Sequence, residues 1–264
     1  MADFRRVVRS RTADTPGSSR PGGPTRPMPA TGTEGAIVQV RTRHTPSYGV
    51  ARLVLAPAES VLVESGAMLA TSYGVSVEAR AQGGLLKSFA RAAFGGESMH
   101  LSTYTAPQSG GWVDVAPTLP GDLTVLELDG RTGWCVTRGS WLASVSTVQI
   151  ETQWAGFKSL FGGEGGFLNH VTGQGPAVVA CYGALDVVTL QPGEFVTIDT
   201  GHVVAYSDAM QSRLRQVHQG TSQSMKSGEG LVFDFAGPGQ VWTQTRDPRG
   251  LVAWLHANGL GARS

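Results

Sequence analysis

Lysine occurs at three positions in this chain, and each lysine is followed by a Gly-Glu pair. These candidates are Lys87, Lys158 and Lys226, with Glu97, Glu164 and Glu229. If a repeated fold brought the three carboxylates to one axis, their oxygens would attract a cation. The alternative that we favour is structural: glycine permits a tight turn, and the glutamate caps exposed amides or pairs with lysine at the surface. The six residues are therefore candidate functional or turn positions.

Asp199 and His202 stand together in the segment IDTGH. An aspartate can orient an imidazole for acid–base chemistry. However, no partner nucleophile is signalled, and a histidine at the end of a strand is more often a satisfied structural group. We expect no catalytic residue, and we keep an enzyme or small-ligand pocket near Asp199 and His202 as the alternative.

Other chemical signatures are missing from the sequence. His100 and His170 follow their Gly-Glu pairs at different distances, which argues against a symmetric metal site. The glycine-rich stretches match neither phosphate-binding pattern, and no nucleophile elbow occurs. Cys135 and Cys181 lack metal-ligand spacing and are interpreted as buried, reduced thiols. We therefore expect no metal and no cofactor.

The charge is unevenly placed along the chain. Residues 1–35 contain six arginines and three acidic residues, a net charge of +3, and because the whole chain carries +1, the remainder carries −2. Nucleic-acid binding normally needs a basic surface, so a nucleic-acid partner is not expected. The same 35 residues are rich in Pro and Gly and poor in large apolar residues, which predicts a disordered basic arm.

The composition also indicates where the chain resides. The chain has no run of about 18 apolar residues that would predict a transmembrane helix. Reduced cysteines and a high Arg-to-Lys ratio favour a bacterial cytoplasm, with a mitochondrial location as the alternative for a eukaryotic protein.

Short strands separated by turns are expected to carry these residues. Frequent Gly and Pro between Val-, Leu- and Thr-rich segments predict an all-β fold. A Pro-small-acid turn recurs three times, at 57–59, 120–122 and 192–194, and each is followed by a strand that ends at Gly66, Gly130 or Gly201. Proline and glycine preset such turns, so we expect the three to occupy equivalent places.

The Lys-to-Glu segment is longest in the first repeat. Leu86, Phe89 and Phe94 lie there, partly at helical spacing, whereas the third repeat completes the same connection in three residues. The apolar residues are therefore a candidate contact surface for a protein partner, a second copy of the chain or a peripheral membrane surface. The alternative is that they cover an open end of their own sheets.

Several motifs together resemble the altered inheritance of mitochondria protein family over about residues 36–255. They are GGLLKSFARAAFGGES, STYTA, APTLPGDL, FGGEGGF, IDTGH, GEGLVFDFAGPG and WTQTR. The resemblance implies three TRAP-like β-units, of β-sandwich or double-stranded β-helix-like form, around a pseudo-threefold axis. It associates the family's eukaryotic members with inner-membrane organisation and implies no particular reaction.

These observations predict one triplicated β domain over residues 36–256, with repeat units at about 36–117, 118–189 and 190–256 and a flexible tail at 257–264. We expect a non-enzymatic interaction or scaffold module, membrane- or stress-associated, with an unknown protein partner or a homo-oligomer. RNA binding by analogy with the TRAP fold is the remaining alternative; strand tryptophans could stack on bases, but they usually pack in the core.

Overall fold

Antiparallel strands follow one another through most of the chain that the computed structural model describes, which is residues 38–81, 100–154, 167–217 and 231–260. The first strands are β1 (Gln39–Arg43), β2 (Val50–Leu55), β3 (Ser60–Glu64), β4 (Met68–Thr71), β5 (Ser76–Ala81), β6 (His100–Thr105) and β7 (Gly111–Val115). The middle strands are β8 (Leu123–Asp129), β9 (Trp134–Thr137), β10 (Trp141–Val145), β11 (Val148–Trp154) and β12 (Phe167–Ala180). The last are β13 (Leu185–Leu190), β14 (Phe195–Asp199), β15 (Val203–Ser207), β16 (Gln211–Gln216), β17 (Leu231–Ala236) and β18 (Gly239–Gln244), before helix α1 (Pro248–Ala257). The predicted all-β class is confirmed.

The first segment (β2–β7) and the last segment (β13–β18) have the same strand pairing. In the first segment β7 lies between β2 and β4, and β6 lies between β3 and β5. In the last segment β18 lies between β13 and β15, and β17 lies between β14 and β16. The two segments therefore have one topology.

The middle segment (β8–β12) follows the same plan with one strand fewer. The first half of β12 pairs with β9 and β11, and its second half pairs with β8 and β10. Gly173 and Gly175 separate the halves and have φ of 106° and 114°, which favour glycine. The single long strand thus takes the place of the pair β6 and β7, and of the pair β17 and β18.

The predicted equivalence of the three Pro-small-acid turns is wrong for one of them. The turns at 57–59 and 192–194 connect β2 to β3 and β13 to β14, and each glutamate accepts a 2.7 Å hydrogen bond from the backbone N–H three residues earlier. The turn at 120–122 instead precedes β8, and Asp122 accepts from the adjacent Leu123 N–H. Because a Pro-small-acid sequence favours a tight turn wherever it occurs, it does not identify which strands the turn connects.

A different sequence motif marks equivalent places in all three segments. The pairing aligns the turn ESGA before β4 with TRGS before β10 and DTGH before β15. Gly66, Gly139 and Gly201 are the matched glycines, so Gly130 is not the middle member of the set. These three Gly turns (64–67, 137–140 and 199–202) contain several of the polar residues described below.

The segments join through strand edges. β10 of the middle segment pairs with β3 of the first, and β15 of the last segment pairs with β9 of the middle, which forms an 11-stranded sheet. The remaining described strands form a four-stranded sheet that ends at β4 and a three-stranded sheet that ends at β14. The edges of β4 and β14 are therefore not joined to each other. The corresponding strands of the other segments are joined, β10 to β3 and β15 to β9.

Candidate functional site

Nine of the residues singled out in the sequence lie outside the described part of the chain. They are Lys87, Lys158, Lys226, Glu97, Glu164, Glu229, Leu86, Phe89 and Phe94. The cation-binding, turn and contact-surface hypotheses for these residues stay predictions.

Asp199 and His202 lie at either end of the third Gly turn, but they bind different groups. The Asp199 Oδ1 atom accepts from the Gly201 N–H at 2.7 Å and from the Arg249 Nη2 of helix α1 at 3.0 Å. The His202 Nδ1 lies 2.7 Å from the Gln244 carbonyl oxygen, so this nitrogen is the donor. Each side chain thus fixes the turn to a neighbouring element.

Two of the three Gly turns line a cleft of about 380 Å³. Its wall includes Glu64, Ser65 and Ala67 of the first turn and residues 137–140 of the second, together with Tyr182, Gln244 and Pro248. The nearly buried Gln244 side chain donates to the Gly201 carbonyl at 2.8 Å and accepts from the Tyr182 N–H at 2.8 Å. It therefore ties the third Gly turn to the wall of the cleft.

Glu64 is the acidic residue of this cleft, and sequence analysis did not select it. Burial raises the pKa of its carboxyl to about 6, while the positive charge of Arg138 acts in the opposite direction. A carboxyl with such a pKa can accept or donate a proton near neutral pH. The signal that could have found it is the alignment of ESGA with DTGH, which places Glu64 at the position of Asp199.

Replacing Glu64 with glutamine should stabilise the protein at alkaline pH. The folded carboxyl holds its proton more tightly than the unfolded one, so the favourable contribution is complete below pH 4.5 and is lost as the pH rises through about 6. We expect the free energy of unfolding of Glu64→Gln to exceed that of wild type by about 1–2 kcal/mol at pH 8 and to match it at pH 4. Urea unfolding at both pH values measures this, with the exposed Glu127→Gln as control. Equal stability of Glu64→Gln and wild type at pH 8 would contradict it.

The third residue after the glycine of each Gly turn lies in the strand that follows, and its exposed fraction differs sharply among the three strands. Leu142 in β10 is 2% exposed and Val204 in β15 is fully buried, whereas Leu69, at the same place in β4, is 55% exposed. On the other unjoined strand, β14, Phe195 is 76% exposed. The unjoined edge of β4 therefore exposes an apolar side chain at a position that β10 and β15 bury.

Comparison with known proteins places this architecture in a family. The model of the family described as Mitochondrial biogenesis AIM24 matches residues 40–246. The chain belongs to this family. The AIM24 match confirms the resemblance found in the sequence, and it includes all three Gly turns but ends before helix α1.

Bacterial relatives agree with this assignment. An uncharacterized protein of Streptococcus pyogenes serotype M6 is 30% identical over 228 residues, which is 81% of this chain and 90% of the relative. A crystal structure of a Streptococcus pyogenes protein matches with a TM-score of 0.72 and 25% identity, over 84% of this chain and 99% of that one. The family and its relatives thus support the fold, and their names specify no reaction.

Among the described residues of this AIM24 protein, His170 forms an acid–histidine pair with Asp208. The His170 Nε2 lies 2.9 Å from the Asp208 Oδ2. Gly133 leaves room for this contact, since a Cβ at position 133 would overlap both side chains. Cys135 is opposite His170 in the sheet, but burial raises the pKa of its thiol, so the reactive thiolate is disfavoured. No group of three metal-binding side chains occurs in the residues that the structure describes.

The strand tryptophans considered for base stacking are packed or covered. Trp141 and Trp242 are buried, and Trp134 contacts Trp242 with 4.9 Å between ring centroids. Arg52 lies over Trp112, with its Cζ 3.8 Å from the ring centroid, and binds the buried Asp114 at 2.7 and 2.9 Å. These rings therefore offer no stacking platform.

Among the described residues, the one α-helix is too short to cross a membrane.

Proposed function

We propose that this AIM24 protein is a non-enzymatic interaction module that binds polypeptides through the open edges of β4 and β14. The observation that carries the proposal is the exposure of Leu69 and Phe195 on two sheet edges that have no neighbouring strand among the described residues. An unpaired edge presents N–H and C=O groups to an added strand, and exposed apolar side chains beside it gain by being covered.

The architecture that we propose for the module is three equivalent units around a pseudo-threefold axis, as in the TRAP-like fold. The recurring strand pairing and the three aligned Gly turns support it. In this arrangement the third unit begins with β13 at Leu185, not at residue 190, because β13 pairs with β18 as β2 pairs with β7. The open edges then lie at the third of three equivalent junctions.

A charged side chain introduced on the edge of β4 or β14 should dissociate the complex that forms through that edge. In extracts of cells that express the protein, Leu69→Lys and Phe195→Lys should shift it from a larger complex to the mass of the single chain, 27.7 kDa. The control is Val77→Lys on β5, because Val77 is 51% exposed and Leu69 55%. Size-exclusion chromatography with immunodetection measures the shift. If Leu69→Lys and Phe195→Lys elute like the wild type, the proposed function is wrong.

A second candidate function is binding of a small polar ligand in the cleft at the Gly turns. Glu64 favours it, because a partly buried carboxyl of raised pKa in a cleft of this size is a usual feature of binding sites. Screening small amines by NMR would test it. Resonance shifts at residues 64–67 and 137–140 that disappear in Glu64→Gln would support a ligand site, and an unchanged spectrum would reject this class of ligand.

A further inference from the structure

The first and third Gly turns begin with acids that have different surroundings. At the third turn the Asp199 carboxylate accepts from the Gly201 N–H at 2.7 Å and from the Arg249 guanidinium at 3.0 Å. At the first turn the Glu64 carboxylate lines the cleft and accepts no hydrogen bond from the residues that the structure describes. Leaving a partly buried carboxylate without a donor is costly, so a ligand that donates to Glu64 would be stabilised there.

Two other strand carboxylates show how this fold satisfies an acid. Asp114 accepts from the Nε and Nη2 atoms of Arg52 at 2.7 and 2.9 Å. Asp234 accepts from the same two atoms of Arg215 at 2.6 and 3.1 Å. Such bidentate pairs match the planar guanidinium to both carboxylate oxygens and are stronger than hydrogen bonds between neutral groups. These acids, like the acid of the third Gly turn, therefore bind arginine directly.

The cleft beside Glu64 has the room and the lining for an arginine side chain. Its volume of about 380 Å³ falls within the range of about 300–1,000 Å³ that is usual for ligand pockets. The hydroxyl groups of Ser65 and Thr118 belong to its wall and can accept from guanidinium N–H groups that the carboxylate does not bind. Leu119 and Pro248 add apolar surface, against which the methylene groups of arginine can pack.

The partial burial of Glu64 favours a guanidinium over an ammonium group. Burial raises the pKa of the Glu64 carboxyl to about 6, and the positive charge of Arg138 does not offset this effect. A cation that binds Glu64 must therefore give up water on entering the cleft. A guanidinium is more weakly hydrated than an ammonium and donates in the fork geometry of a carboxylate, whereas the lysine ammonium is a strongly hydrated point charge.

We infer that the cleft binds the arginine side chain of a polypeptide, with the guanidinium paired to the Glu64 carboxylate. This inference rests on the proposed function, because the first Gly turn leads directly into the open strand β4. Ala67 of that turn lines the cleft and Met68 begins β4, so a polypeptide paired with this edge passes beside the cleft. The edge then supplies backbone hydrogen bonds, and the cleft selects one side chain.

N-acetyl-arginine amide is the probe that tests the inference. It is titrated into the full-length protein at pH 8, where Glu64 is ionised, and NMR follows the backbone amide resonances of residues 64–67 and 137–140. A ligand of this size should bind with a Kd of about 1 mM, so a titration to about 20 mM reaches saturation. We expect Glu64→Gln to bind at least about ten times more weakly, because the charged acceptor is lost. The exposed Glu127→Gln should bind like the wild type.

Two analogues of the probe test the preference for a guanidinium. N-acetyl-citrulline amide has a neutral urea of the same shape and should cause no saturable shift. N-acetyl-lysine amide should bind at least about three times more weakly than the arginine probe, because its ammonium is more strongly hydrated. The inference is overturned by an arginine probe that causes no shift, by equal binding to wild type and Glu64→Gln, or by an analogue that binds as tightly as arginine.

The edge variants distinguish this failure from failure of the proposed function. If the arginine probe does not bind but Leu69→Lys and Phe195→Lys still dissociate the cellular complex, the interaction module stands and the arginine site is wrong. If the probe binds as expected and neither edge variant changes the complex, the cleft is an arginine site and the proposed binding through the open edges is wrong.

Discussion

Leu142→Ala should lower the melting temperature by roughly 4–20 °C, the largest effect that we expect from truncating a side chain of the Gly-turn strands. Leu142 is 2% exposed in β10, at the junction where β10 pairs with β3. Leucine-to-alanine changes in well-packed cores cost about 2–5 kcal/mol, since the apolar contacts are lost and the cavity is not refilled. In a domain of about 200 residues, each kcal/mol shifts the melting temperature by about 2–4 °C.

The same substitution at Leu69 is the matched control. Leu69 occupies the corresponding place in β4 but is 55% exposed, so Leu69→Ala in dilute protein should change the free energy of unfolding by less than about 1 kcal/mol. Thermal unfolding followed by circular dichroism compares the two variants directly. Equal losses would mean that β4 is covered within the single chain, contrary to the open junction.

Gly121→Ala should destabilise the protein by about 3 kcal/mol or more, because two stretches of backbone cross at this residue. An added Cβ would overlap the Cys181 carbonyl oxygen and crowd Gly183. These neighbours are main-chain atoms, held by hydrogen bonds from Asp122 N–H to the Gly183 carbonyl at 2.8 Å and from Cys181 N–H to the Asp122 carbonyl at 3.0 Å. They can move only if those bonds lengthen.

Gly193→Ala separates this effect from ordinary backbone strain. Gly193 has φ of 85° in the turn between β13 and β14, but no atom lies within 4 Å of an added Cβ. Only the left-handed conformation opposes alanine there, which costs about 1 kcal/mol. Chemical denaturation of both variants measures the difference. A Gly121→Ala variant as stable as Gly193→Ala would contradict the close crossing.

The Pro-small-acid turns indicate how far a local pattern can be interpreted. At 57–59 and 192–194 the pattern predicted the same connection correctly, because proline, a small residue and an acid that accepts from the backbone favour one turn geometry. At 120–122 the same pattern of residues forms a different turn, which precedes β8 and is hydrogen-bonded to residues 181–183. The backbone preference is local, but the identity of the joined strands depends on contacts about 60 residues away.

Part of the candidate site could be predicted from the sequence. Asp199 and His202 were selected from the sequence as a pair, and the structure keeps them in one turn but gives each a separate partner. Glu64 was not selected because its neighbours in the sequence are ordinary strand residues. Its raised pKa arises from burial between segments, which one strand's sequence cannot report.

Local sequence patterns were sufficient for the all-β class and for the turn-forming segments, because alternating apolar residues, proline and glycine act through short-range backbone preferences. The family followed separately, from the resemblance of several motifs. The equivalence of the Gly turns, the position of the cleft and the open edges became visible only in the folded chain. These features depend on pairing between strands far apart in the chain, and Leu142 and Leu69 make the reason plain. The two leucines have similar local sequences, yet one is buried and the other exposed, because a strand from another segment covers the first and not the second.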